Sequence, residues 1–306
     1  MKLPRTTRRK AIQQIAAAAV TGASTSSVRK GQSNQLQASR RGFKIGAVDW
    51  ELTKPGDLGA LAVAARLGFD GLQVDLADVE SMRNSDRQKE YQVLARKQNV
   101  EVAALAMGIL NEVAYASDPR GQRLVDTAID IAAAMNQKVL LVPFFDKGDL
   151  NRPENQVDTL VGRLKENAPK AEKAGVVLGL EAEISVERYK EIIDRVGSPA
   201  VKVYFDMVHA HGAGRDIYQE ITFLADRICE FHAKDYGNIL FGQGSVDFHQ
   251  VRRAMDSIGY RGWIQVEQWA EIKGNKPLGF DETWRRNLHY LREIFPTTEA
   301  RRRLSG

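Results

Sequence analysis

Four residues in the second half of the chain are of the types that hold a hard or borderline divalent cation. Glu181, Asp206, His232 and Glu267 stand at or near the carboxyl ends of four successive strand-forming runs. Those runs are VVLGLE (176–181), VKVYFD (201–206), ICEFHAK (228–234) and WIQVEQ (263–268). Three carboxylates and one imidazole suit Mn²⁺, Mg²⁺ or Co²⁺ better than Zn²⁺, which leans to thiolate and nitrogen donors. Burying three negative charges together is costly, and a dication offsets most of that repulsion. A single acid at a strand end reads as a helix cap or a surface ion pair. Four in consecutive strands do not, because capping favours Asp or Ser and explains neither glutamate nor His232.

Around this ring lie residues suited to hold a substrate. The chain has five histidines, and two of them fall in the stretch VYFDMVHAHGAG (203–214). His209, in a glycine-rich turn just past Asp206, is free to donate to a substrate oxygen. His211 reads as a solvated loop residue, and His249 and His289 as structural residues of helices. Trp50, Phe144 and Trp269, at or just beyond strand ends, read either as an apolar wall for a sugar ring or as plain core. The period of two that turns the ligands inward turns Tyr204, Glu230 and Gln265 into the layer beneath them. These three either orient the ligands or bond one another as a polar core. Asp235 is read as holding Lys234 or a loop backbone.

Eight strand-like segments must position these groups. The first four are 44–48 (KIGAV), 71–75 (GLQVD), 101–107 (EVAALAM) and 138–143 (KVLLVP), and the four runs above complete the set. Between them lie patterns of helical period such as DLGALAVAARLGF, RGQRLVDTAIDIAAAMN and NQVDTLVGRLKENAPKAEKAG. Gly68 and Gly175 close two of these helices. Strands alternating with helices mean parallel βαβ units. Eight units in about 260 residues are the size of a closed (β/α)8 barrel, whose site lies at the carboxyl ends of the strands. A doubly wound open sheet is the alternative, but no glycine-rich phosphate loop follows the first strand.

The net charge of +5 is misleading as a sign of nucleic acid. Residues 1–42 hold nine Lys or Arg and no acid, leaving 35 basic against 39 acidic residues in 43–306, a net of −4. The folded part is acidic, so no polyanion-binding face is implied and a nucleic-acid partner is not expected. The segment TTRRKAIQQIAAAAVTGAST pairs Arg8 and Arg9 with a mildly apolar run from Ile12 to Gly22, too short to span a bilayer. It resembles a twin-arginine export signal, followed to residue 42 by a disordered linker of Ser, Gln, Arg and Gly. The expected location is therefore the periplasm, with a cytoplasmic protein carrying a basic tail as the alternative. The single Cys229 excludes an internal disulfide and reads as a buried thiol.

The segments GLE (179–181), FDMVHA (205–210), HAKD (232–235), GQGSVDF (242–248) and GYRGWIQVEQW (259–269) resemble the xylose-isomerase-like barrel superfamily of sugar phosphate isomerases and epimerases. The resemblance runs over residues 43–290 and is most specific in the second half. It implies one divalent metal on Glu181, Asp206, His232 and Glu267, with the two glutamates also acting as acid and base. It implies substrate contacts from His209 and from Glu187, a second acid six residues after Glu181. The substrate is expected to be a small carbohydrate, and the protein a possible homo-oligomer. One departure stands after HAKD: Asn238 occupies the place of a sugar-binding arginine in the ketose epimerases, which puts a ketose substrate in doubt.

Chemically, a carbonyl and its neighbouring hydroxyl held by a metal stabilise an enediolate, and flanking carboxylates move the proton. The same enediolate can expel a leaving group, so a dehydratase or lyase acting on keto-sugars, inososes or 3-keto-glycosides is the alternative outcome. Apurinic-site endonucleases share this barrel but use a multi-zinc site with histidines from early strands. Here the second and third strands offer only Gln73, Asp75 and Met107. A non-catalytic sugar-binding barrel would not need two glutamates beside a metal.

Overall fold

The computed structural model describes residues 42–237, 239–268 and 278–297. Eight parallel strands close on themselves in chain order: β1 Lys44–Val48, β2 Gly71–Asp75, β3 Glu101–Ala106, β4 Val139–Phe144, β5 Val177–Ala182, β6 Val201–Asp206, β7 Ile228–Ala233 and β8 Trp263–Val266. Closure pairs Ile45 of β1 with Ile264 of β8, which removes the open-sheet alternative and leaves no free strand edge. The helices are α1 Asp49–Leu52, α2 Gly59–Leu67, α3 Val79–Met82, α4 Ser85–Gln98, α5 Pro119–Ala134 and α6 Val157–Ala174. They continue with α7 Val186–Val196, α8 Met207–Gly212, α9 Ile217–Leu224, α10 Phe248–Ser257 and α11 Phe280–Ile294.

The main core lies between the strands and the outer helices, where residues such as Leu61, Ile129, Leu164, Ile192 and Trp284 are buried. Gly68 and Gly175 end α2 and α6 in the left-handed conformation, as their positions predict. Inside the barrel, small residues stand opposite large polar ones. A Cβ on Gly46 would collide with the Gln265 side chain, and one on Gly179 would press on Tyr204 and Cys229. That complementarity lets a layer of buried Gln73, Tyr204, Glu230 and Gln265 fill the tube beneath the site.

Two local readings are corrected. His209 and His211 lie on the short helix α8 and not in a glycine-rich turn, because Asp206 caps that helix by accepting the Val208 N–H at 2.6 Å. Strands β4 and β5 run one residue later than their sequence patterns predict, which moves Phe144 into β4. Phe144 is buried against Tyr115 and belongs to the core, not to a substrate wall. Trp269, Asn238 and the proposed signal and linker lie outside the described residues. Among the described residues no helix is long and apolar enough to cross a membrane.

Candidate metal and proton-transfer site

Each of the four predicted ligands leaves the barrel wall at the mouth. Register pairs Asp206 of β6 with His232 of β7, and Pro143 of β4 with Glu181 of β5; Glu267 follows β8 directly. Each offers one ligand atom, and these atoms lie within 4.8 Å of one another. Three of the four residues are buried and Glu267 is nearly so.

The donor set fits a divalent cation on two observations. Asp206 uses Oδ1 to cap α8, while its Oδ2 is buried with no hydrogen-bond partner, 3.7 Å from His209 Nε2. His232 is turned so that Nε2 meets Gln73 Oε1 at 2.8 Å, which leaves Nδ1 facing Glu181 Oε1 at 2.8 Å and Glu267 Oε2 at 3.4 Å. Without a cation Nδ1–H donates to Glu181 Oε1; with one, an imidazole protonated on Nε2 alone would turn its Nδ1 lone pair to the cation.

Burial alone would pull the His232 imidazole down. The charges of Glu181 and Glu267, the hydrogen bond His232 donates to Glu181 and the charge of Asp206 outweigh it and lift His232 to about 9. For Asp206 burial raises the carboxyl, but His209, Lys234, His232 and the Val208 N–H together hold it below the usual range. Lys234 repeats the pattern with opposite sign: burial lowers the ammonium, and Glu267 and Asp206 more than restore it.

Glu267 is gripped at both oxygens. Trp50 Nε1 donates to Oε1 at 3.1 Å and Lys234 Nζ to Oε2 at 3.0 Å. Trp50 also stands edge-on to the His232 ring at 6.1 Å. His209 is mostly covered, its ring packed edge-on against Phe145 at 5.0 Å. A cavity of about 370 Å³ opens beside the ring, lined by Trp50, Phe145, Ile109, Glu181, Glu267 and Asp75 among others. The aromatic residues at this cavity are Trp50 and Phe145, while Phe144 takes the core reading.

One expectation comes out differently, and two open readings are resolved. Glu187 is exposed in the first turn of α7, its carboxylate bonded to the Ser185 hydroxyl, and is not gathered with the ring. It lines a separate surface cleft of about 790 Å³ with Arg215, Gln219 and Phe223, to which none of the four ligands contributes. Of the two readings of Asp235 the loop backbone is the one found: its Oδ1 accepts the backbone N–H groups of Tyr236 and Ser245 at 2.8 and 3.1 Å, fixing the loop before α10. Tyr204 donates to Gln73 Oε1 and Glu230 Oε2, both at 3.2 Å, so the buried layer bonds to itself and reaches His232 through Gln73. Burial pushes Glu230 up to about 8, against the Tyr204 bond. Sequence reasoning missed Gln73 as a partner of His232, Lys234 as a partner of Glu267, and the buried acids Asp49 and Asp75.

The sequence profile of the family described as "Xylose isomerase-like TIM barrel" matches residues 61–294. Among curated proteins, a 2-epi-5-epi-valiolone 7-phosphate 2-epimerase of Actinoplanes sp. is 26% identical over 181 residues, covering 56% of this chain and 65% of that enzyme, just short of two thirds. A putative L-ribulose-5-phosphate 3-epimerase of Haemophilus influenzae is 21% identical over 244 residues, covering 71% of this chain and 85% of its own. A solved D-psicose 3-epimerase with D-tagatose, from Clostridium cellulolyticum H10, superposes with a TM-score of 0.71 at 16% identity, over 82% of this chain and 99% of its own. At that identity the superposition speaks for the fold.

Proposed function

The chain belongs to the xylose isomerase-like TIM barrel family, and we propose that it is a divalent-metal-dependent sugar epimerase or isomerase. The observation that carries this reading is that one donor atom from each of the four residues lies within 4.8 Å of the others, while Asp206 Oδ2 is buried without a partner. An unpaired buried acceptor in such company is costly unless a cation completes it. The curated relatives named as sugar epimerases support the reaction class.

Glu181, Asp206, His232 and Glu267 would hold Mn²⁺, Mg²⁺ or Co²⁺. When bound, the ion polarises a carbonyl and its adjacent hydroxyl, making the intervening C–H more acidic. Glu181 and Glu267 then act at the carbon, one taking its proton and the other returning a proton to the opposite face or the neighbouring carbon. They come from β5 and from just past β8, with two strands between them, which suits approach to the carbon from two sides. Trp50 and Lys234 fix both oxygens of Glu267, so its orientation is preset before substrate arrives. His209 donates to a substrate oxygen, and Trp50 and Phe145 cover the sugar and exclude water. Each positioned acid or base contributes roughly 10²–10⁴-fold to the rate.

The test is solvent exchange. Metal-loaded protein is incubated with ketoses, inososes and 3-keto-glycosides in D₂O and followed by NMR. Deuterium enters the carbon next to the carbonyl with the skeleton retained, and Glu181→Gln and Glu267→Gln each slow it by about 10² or more. Loss of water or of an aglycone instead would make the enzyme a lyase on the same ring. Unchanged exchange in both variants and after chelation would sink the mechanism. The basic, acid-free segment 1–42 supports a further proposal, that the chain is exported by a twin-arginine route.

A further inference from the structure

The β2–β3 side of the cavity carries polar groups that the proposed proton transfer leaves unused. Asp75, the last residue of β2, lines it and is only 7% exposed. Its Oδ2 accepts the Gly108 N–H at 3.1 Å, while its Oδ1 is buried and has no hydrogen-bond partner. Asn111, closing the 3-10 turn Gly108–Asn111 after β3, lines the same cavity, and its Oδ1 is also buried and unpartnered. The backbone is shaped around the acid: a Cβ on Gly108 would collide with Asp75 Oδ2, so only glycine leaves that carboxyl its place. Asp49 braces it from behind, accepting the Asp75 N–H at 3.1 Å and the Gly56 N–H at 2.9 Å. Buried polar atoms in native proteins have partners, and two orphaned acceptors on one wall of one cavity point to a ligand that brings the donors.

We infer that Asp75 and Asn111 form a hydroxyl-recognition subsite, and that the substrate enters it with an unphosphorylated, polyhydroxylated end. The inference rests on the sugar-epimerase reading above and narrows its substrate class. A sugar hydroxyl donates to such acceptors and satisfies them. A phosphate dianion brings only acceptors and negative charge, and among the described residues lining the cavity there is no Lys or Arg to meet it. Ile109, Leu141 and Phe145 supply the apolar faces against which sugar C–H groups pack.

The experiment is calorimetric titration of the metal-loaded full chain with matched probes, L-ribulose against L-ribulose 5-phosphate and D-psicose against D-psicose 6-phosphate. The free sugar of each pair is expected to bind at least about tenfold more tightly than its phosphate, the effect of one hydrogen bond to a charged group. Asp75→Asn keeps an oxygen for the Gly108 N–H but turns the other acceptor into a donor. It should weaken free-sugar binding by about tenfold or more, and Asn111→Ala should weaken it similarly, with bound metal per chain unchanged in both. Tighter binding of the phosphates, no binding of either free sugar, or wild-type affinity in both variants overturns the inference. A chain that exchanges deuterium but prefers phosphates refutes this subsite alone, whereas one that binds no metal refutes the functional reading beneath it.

Discussion

Gln73 connects the buried layer to the ring, and replacing it tests whether that connection sets metal affinity. Its Oε1 receives His232 Nε2–H at 2.8 Å and the Tyr204 hydroxyl at 3.2 Å, while its own Nε2 is buried without a partner. Gln73→Met keeps the volume and removes both polar atoms. The imidazole N–H loses its acceptor, at a cost of about 1–3 kcal/mol, but the unpartnered Gln73 amide, a penalty of the same kind, disappears with it. Tyr204 retains Glu230 Oε2 at 3.2 Å. Stability of the metal-free protein should therefore change little. What changes is the aim of the ring: Nε2 loses the acceptor that fixes it from below, and metal affinity should fall by about 10- to 100-fold, the usual loss for such an orienting partner. Mn²⁺ titration by electron paramagnetic resonance reads the affinity, and thermal melts of the metal-free protein read the fold. Gln73→Glu, which keeps an acceptor for His232, should recover most of the loss. Wild-type affinity in Gln73→Met, or a large drop in melting temperature with affinity intact, refutes the positioning role.

Purified protein should carry about one divalent ion per chain, and Asp206→Asn should weaken it by about 10- to 100-fold or more; metal analysis and titration check both. Asp49 is raised to about 8, first by burial and then by the charge of Asp75. Between the ordinary carboxylate range and about 8 the folded chain keeps a proton that the unfolded chain has lost, so this acid makes stability fall as pH rises. Asp49→Asn keeps an oxygen for the Gly56 and Asp75 N–H groups and should flatten the decline by at most about 1.4 kcal/mol per pH unit, measured as urea midpoints of metal-free protein from pH 5 to 8. An unaltered slope would place the titration elsewhere. Replacing Arg8 and Arg9 with lysine should retain the precursor in the cytoplasm on cell fractionation, and unchanged export would dismiss the twin-arginine route.

Much of the scaffold was legible in the chain because its signals are local. Strand runs of β-branched and apolar residues, helical spacing between them and closing glycines such as Gly68 and Gly175 depend only on neighbours, and eight repeats of one unit leave few architectures. The convergence of the four candidate ligands was legible too, because parity along a parallel strand and the rule that barrel sites sit at strand ends together place Glu181, Asp206, His232 and Glu267 at one mouth. Where local signals were misread, the slip was small and physical. An aspartate at a strand end is also a helix cap, and Asp206 starts α8 under His209. A shift of β4 by one residue puts Phe144 inside the strand, buried in the core, and leaves Phe145 beside His209. Glu187 follows Glu181 by the expected spacing, but the helix that begins at Val186 carries it to the outer surface. Closure of the barrel decided the rest, because it alone brings together residues far apart in sequence. Gln73 meets His232 across 159 residues, and Trp50 meets Glu267 across 217. No periodicity along the chain encodes such contacts; they exist only once β1 has joined β8.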